Sequence, residues 1–315
     1  MQATEPTPEA LRNPLARYFL ATRPAFLIVT LVGVLAGFAA AFASGVALRP
    51  DIATLTLVLA LVAHAAVNVL NDYYDALNGT DAINTERVYP FTGGSRFIQN
   101  GVLTMQETAR FGWTLVGVVI VGGLALTAWA GAGLIAIGLA GLVIGWTYSA
   151  PPLALNSRGF GELCVTAGFA LVVIGSDFVL RREFAAEPVI AAVSYSLLVA
   201  NVLYINQFPD RKADEAAGKH HWVVRLGAER AVYGYYAIAF AAHAWVVLAV
   251  SLGRLPVVTL VALGSAPLAF QAARILRCSA TRPSELAPAL KLTIGTAVSH
   301  GVLLALALIV SRFVQ

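Results

Sequence analysis

Asn68-Val-Leu-Asn71-Asp72-Tyr-Tyr-Asp75-Ala-Leu-Asn-Gly79-Thr-Asp81 follows an uncharged run that reaches from Ile52 to Asn71. About 20 apolar residues are enough for a helix to cross the hydrocarbon layer, so this stretch reads as the polar end of a membrane span. Within it Asn68, Asn71, Asp72 and Asp75 recur at intervals of three and four, which puts their oxygens on one helical face. Negative charge at a helix C-terminus opposes the helix dipole. Asn68 lies about a turn deeper, where an unpaired amide is costly. A face built in this way needs a cation.

The pattern recurs in Asn206-Gln-Phe-Pro-Asp210-Arg-Lys-Ala-Asp214-Glu-Ala-Ala-Gly218-Lys219, where Asn206-x3-Asp210-x3-Asp214 echoes Asn68-x3-Asp72-x2-Asp75. Five of the seven aspartates fall in these two stretches. Oxygen-rich sites with few protein ligands suit Mg2+ that is also held by substrate phosphates, and two such faces point to one diphosphate clamp. Asp72, Asp75, Asp210 and Asp214 are the expected metal ligands, with Asn68 as a further one and Asn71 and Asn206 lining the site. Asp81 belongs to the neighbourhood but not to the helical face. Pro209 is expected to end or kink its span.

Basic residues near these stretches are candidates for phosphate oxygens: Lys219, Arg225 and Arg96. Arg96 ends Phe91-Thr-Gly93-Gly94-Ser95-Arg96, where paired glycines would let backbone amides approach a phosphate. The spacing is not that of a nucleotide-binding P-loop. In Tyr148-Ser-Ala-Pro151-Pro152, Pro makes a turn between two spans, with Tyr148 expected near the site and Glu162 at the start of the next span.

With 58% hydrophobic and 12% charged residues, against roughly 25% charged in soluble domains, the whole chain reads as an integral membrane protein. Uncharged windows run over 26–48, 52–71, 188–209 and 255–273. No charge occurs between Arg110 and Arg158, a length for two helices broken near Ala130-Gly131-Ala132-Gly133. With 163–180, 231–252 and 286–310, this makes about nine transmembrane helices: an all-α membrane protein whose helices surround a central cavity beneath two polar cap loops. Residues 1–24 read as a flexible or surface-lying tail, and 25–315 as one transmembrane domain. The tail lacks the short apolar core of a cleaved signal. Cys164 and Cys278 have neither disulfide nor metal spacing.

Counting spans from an inner N-terminus, one side takes Arg12, Arg17, Arg23, Arg87, Arg96, Arg110, Arg158, Arg211, Lys212, Lys219, Arg225, Arg230, Arg277 and Arg282. The other keeps Arg49, Arg181, Arg182, Arg254 and Arg312. The positive-inside rule then places both aspartate stretches on the cytoplasmic face of a prokaryotic inner (plasma) membrane. The net charge of +4 is accounted for by orientation, without nucleic acid. The two motif helices are the second and sixth spans and run the same way, as in a pseudo-repeat of four helices. A transporter, the competing class, places ionisable groups near the bilayer midplane of inverted repeats. Asp177, beside Arg181 and Arg182, reads as half of a structural ion pair, and His64, His243 and His300 as isolated core residues. His220 and His221 adjoin the second motif without a ligand spacing.

These motifs resemble those of the UbiA superfamily of intramembrane aromatic prenyltransferases: Asn71-Asp72-x-x-Asp75 with a following Asp81, and Asp210-x3-Asp214. The Gly79-Thr80-Asp81 extension, Gly93-Gly94-Ser95-Arg96, and Gly218-Lys219 leading to Val224-Arg225-Leu-Gly227 are most similar to the menaquinone branch of dihydroxynaphthoate polyprenyltransferases. Gln207-Phe208-Pro209 departs from the more polar residues of many members. The resemblance implies Mg2+, a polyprenyl diphosphate donor, an aromatic acceptor and a surround of membrane lipid, with Asp72, Asp75, Asp81, Asp210 and Asp214 carrying the chemistry. A hydroxybenzoate, a tetrapyrrole or a lipid headgroup are the alternative acceptors.

Overall fold

Helix formation follows the apolar windows. The computed structural model describes residues 4–314, and no strand occurs among them. In chain order the α-helices are α1 (Pro14–Ala21), α2 (Leu27–Ala43), α3 (Pro50–Leu77), α4 (Thr80–Ile83), α5 (Met105–Ala130), α6 (Gly133–Ser149), α7 (Gly161–Arg181), α8 (Ala186–Ala216), α9 (Trp222–Leu226), α10 (Ala228–Ser251), α11 (Ala266–Ser279) and α12 (Ala287–Val314). Eight helices are long and apolar enough to cross a membrane, one of them a 3-10 stretch, Val257–Ser265, running on into α11. The 17-residue apolar α6 is the ninth. The uncharged run between Arg110 and Arg158 breaks where its glycines lie, at Gly131 with φ +96°, a conformation that glycine adopts without a Cβ clash.

The core lies between α2, α7, α8, α10 and α12, where Tyr195, Leu198, Leu304 and Val173 are buried. Close approach of α2 to α7 depends on Gly37, because a Cβ there would run into the Val173 carbonyl oxygen. The outside of the bundle exposes Phe240, Val121 and Phe270; apolar surface on this scale suits lipid contact. At one end of the bundle Arg181 pairs with Asp177 through Nε and Nη2 at 2.7 and 2.8 Å, as expected for a structural ion pair. The guanidiniums of Arg49 and Arg182 lie over the Trp129 ring nearby. Asp72 and Asp75 of α3 and Asp210 and Asp214 of α8 gather at the other end.

Three expectations narrow or change. Pro209 neither ends nor breaks its span: α8 continues through it to Ala216, carrying Asp210 and Asp214 in helical phase with Asn206. The tail is not loose over its described part. Leu11 and Tyr18 pack against Phe97, Val102 and Leu103, and the Glu5 carboxylate accepts from Arg87 Nε at 2.6 Å and Asn100 Nδ2 at 3.2 Å; residues 1–3 lie outside the described residues. His243 and His300 are not isolated either. Their rings meet edge to face at 5.5 Å, and Ser265 bridges them by hydrogen bonds.

Candidate active site

The C-terminal turns of α3 and α8 present the two carboxylate faces, and the loop between α3 and α5 ties them together. Along that loop the Gly93 amide donates to Asp210 Oδ2 at 3.3 Å, and the Ser95 amide donates to Asp72 Oδ2 at 3.1 Å. Asn84 Nδ2 donates to Asp210 Oδ1 at 2.6 Å. Between the two amides sits Gly94 at φ +72°; a Cβ on it would lie 2.5 Å from Asp81 Oδ2 and 3.1 Å from Asp72 Oδ1. Glycine is therefore required twice, for its backbone conformation and for the space that the carboxylates occupy. The short helix α4 thus returns Asp81 to the site, a path its sequence does not reveal. Arg96, also at positive φ, donates through Nη1 to the Asp81 carbonyl.

Lys219 closes the arrangement from the α8 side. Its Nζ lies 2.8 Å from Asp75 Oδ1 and 3.0 Å from Asp214 Oδ1, one ammonium bridging both faces. Asp214 Oδ2 also meets His221 Nε2 at 3.0 Å. Asn71 Nδ2 donates to Asp75 Oδ2 at 3.2 Å and to Ser149 Oγ at 2.9 Å, linking α3 to α6. Burial alone would lower the Lys219 pKa; the Asp75 and Asp214 carboxylates outweigh it and hold the ammonium above its ordinary value. Asp81 has no such partner. Burial, with the nearby Asp75 and Asp72 carboxylates, pushes it up to about 8. Asp72, Asp75, Asp81, Asp210 and Asp214 thus bring five carboxyl groups to one end of the bundle, where burial and mutual repulsion disfavour their charged forms.

Asp72, Asp75, Asp81, Asp210, Asp214, Asn71, Arg96 and Lys219 are therefore brought together by these contacts. Tyr148 is half-buried within electrostatic range of Asp75 and Lys219. Asn206 Oδ1 is buried without a hydrogen-bond partner. Asn68 Nδ2 donates to the Thr22 carbonyl at 3.0 Å, so its contribution to the site is limited to Oδ1. Arg225 does not join: its guanidinium donates to the His220 and Arg158 carbonyls and lies over Trp222. The glycine-loop amides are directed at carboxylates, where the sequence suggests phosphate. Sequence reasoning missed Asn84 and Ser149, which bear no motif, and gave His221 no role although it directly follows the Lys219-His220 pair.

Among the described residues no three His, Cys, Asp or Glu side chains stand close enough together to hold a metal ion. The donor set nevertheless suits Mg2+ in kind: hard oxygens in excess of the available cations, with Asp72 Oδ1 buried and unpartnered.

Residues 27–310 match the sequence profile of the UbiA prenyltransferase family. The chain belongs to that family. It is a UbiA-type prenyltransferase, and its relatives include naphthoate prenyltransferases. The 1,4-dihydroxy-2-naphthoate octaprenyltransferase of Haemophilus influenzae is 28% identical over 89% of this chain and 91% of its own. The Mycobacterium leprae enzyme of the same name is 31% identical over 76% of this chain and 78% of its own. Among solved structures, a UbiA homologue from Archaeoglobus fulgidus bound to DMAPP and Mg2+ superposes with a TM-score of 0.63 at 17% identity, covering 93% of this chain and 99% of that one. That likeness concerns the fold.

Proposed function

We propose that this UbiA enzyme transfers a polyprenyl group from its diphosphate to a dihydroxynaphthoate, with Mg2+, at the cytoplasmic face of a bacterial inner membrane. The observation that carries the reading is the joining of two carboxylate faces by one loop and one lysine. The names of the naphthoate octaprenyltransferases support the acceptor. The archaeal homologue's DMAPP and Mg2+ support the donor and the metal.

Asp72, Asp75, Asp210 and Asp214, with Asn68 Oδ1 and Asp81, would hold Mg2+, which when bound supplies Lewis-acid neutralisation of the diphosphate. The chain's own residues do the rest. Lys219 and Arg96 face the diphosphate oxygens and stabilise the charge that develops there as the allylic C–O bond breaks. Lys219, held between Asp75 and Asp214, would lie beside the bound diphosphate. The helices around the site keep water from the allylic cation and give the polyprenyl tail an apolar bed. Tyr148 borders the site from α6. The acceptor ring carbon attacks the allylic carbon, and the acceptor carboxylate leaves as CO2.

Purified protein with an allylic polyprenyl diphosphate and 1,4-dihydroxy-2-naphthoate should give prenylated product only with Mg2+. Asp72→Ala and Asp210→Ala should each lower the rate by several orders of magnitude. Activity within about tenfold of wild type would remove those residues from the clamp.

A further inference from the structure

Glu162, in the first turn of α7, and Gln207, on α8, lie outside the aspartate clamp and remain without a role in it. Gln207 Nε2 donates to Glu162 Oε1 at 2.7 Å. The other oxygen of each, Glu162 Oε2 and Gln207 Oε1, is buried with no hydrogen-bond partner. Gln207 is 6% exposed. A buried acceptor left unpaired costs about 1–3 kcal/mol, and more when charged, so two of them side by side are retained for a reason other than stability. The pair also adjoins the clamp. His221, hydrogen-bonded to Asp214 through Nε2, lies within electrostatic range of Glu162, and its Nδ1 is itself buried without a partner. Tyr148 stands within the same range of Asp75 and Glu162.

We propose that Glu162 Oε2 and Gln207 Oε1 are the hydroxyl-binding half of the acceptor subsite, each accepting an O–H from a dihydroxylated aromatic acid. The inference rests on the functional reading above and adds where the ring sits and which way it faces. Gln207 Oε1 is a carbonyl oxygen and an ionised Glu162 Oε2 has no proton to give, so both act as acceptors; they call for a ligand with donors, and a dihydric ring supplies two. The Glu162 carboxylate repels the acceptor's own carboxylate, which favours the pose in which the hydroxyl remote from the acid group meets Glu162 and the adjacent one meets Gln207, and so sets the ring's orientation relative to the clamp. A hydroxyl donating to a carboxylate forms a charge-assisted bond and raises electron density on the ring carbons that attack the allylic carbon.

Binding to the purified full-length protein, measured anaerobically by equilibrium fluorescence, tests this. Wild type should bind 1,4-dihydroxy-2-naphthoate at least tenfold more tightly than its 4-methoxy ether, which has one donor fewer; this comparison needs no variant. Glu162→Ala should weaken acceptor binding by roughly 30-fold, the size of a charge-assisted hydrogen bond, and erase most of the preference over the ether, while the KM for polyprenyl diphosphate stays within about twofold. The exchange Glu162→Gln with Gln207→Glu keeps the pair's mutual hydrogen bond and should restore part of the affinity. Equal binding of diol and ether, Glu162→Ala binding within threefold of wild type, or parallel loss of acceptor and diphosphate binding with a lowered Tm would each overturn the subsite. Wild-type protein that binds no dihydroxynaphthoate at all, yet prenylates another aromatic, overturns the functional reading itself.

Discussion

Lys219 bridges two carboxylates that would otherwise repel each other across the site, with side-chain exposures of 9% for the lysine and 15% and 8% for Asp75 and Asp214. Removing one member of a buried ionic cluster leaves the others uncompensated, at about 3–5 kcal/mol. Lys219→Met should therefore lower the Tm of the metal-free protein in detergent, and Mg2+ should recover more of the loss than it adds to wild type. An unchanged Tm would mean that the carboxylates are solvated and the bridge is incidental. Asp81 gives the complementary pH prediction. An unfolded chain loses this proton near the ordinary carboxylate pKa, whereas the folded protein holds it up to about pH 8. Unfolding thus releases a proton, and the metal-free fold loses stability as pH rises between those limits. Metal binding to ionised Asp81 releases the same proton. The Mg2+-induced rise in Tm should then be larger at about pH 9 than at about pH 6.5, and Asp81→Asn should abolish the difference. Equal shifts at both pH values in wild type would exclude Asp81 from the metal response.

At the scale of the element, helix limits follow composition closely because a bilayer span is a length requirement on apolar residues. The break at Gly131 and the ion pair at Asp177 were legible for that reason. Pro209 was not: proline removes one i−4 hydrogen bond, but α8 is packed along most of its length by α7, α10 and α12, and tertiary contact carries the helix through. Contacts between elements were equally invisible, since glycines in a sequence do not announce which of them face a neighbour. Gly37 and Gly117 make the contrast measurable. A Cβ at Gly37 meets the backbone of α7, while at Gly117 in α5 it meets nothing within 4 Å. Gly117→Ala should be neutral or stabilise by up to ~1 kcal/mol through helix propensity, and Gly37→Ala should destabilise through forced separation of α2 and α7. Thermal unfolding in one detergent decides it, and similar effects at both positions would show that the α2–α7 contact is loose.

For the whole molecule, what could be read from the sequence was the set of charged groups confined to helix ends, because charge in an apolar chain is expensive and its placement informative. What could not be read was how a loop folds back. Asp81, Asn84 and the amides of Gly93 and Ser95 reach the carboxylates through a path that no periodicity encodes, and Arg225 sits in the same sequence neighbourhood yet turns to backbone carbonyls. The same charge asymmetry carries one last expectation, the orientation of the bundle. Arg49, Arg181 and Arg182 gather around Trp129 and Asp177 at one end, and the larger basic set lies with the aspartates at the other. Since short loops rich in Lys and Arg stay on the cytoplasmic side, the aspartate end should face inward. In a Cys278→Ser background, a cysteine at exposed Asn78, beside the first motif, should resist a membrane-impermeant maleimide in intact spheroplasts and react once they are opened. A cysteine at exposed Gly253, near the opposite end, should react in both. Labelling of Asn78→Cys in sealed cells would invert the topology and place diphosphate binding on the face where cytoplasmic polyprenyl diphosphates cannot reach it, which would remove the basis for the donor proposed here.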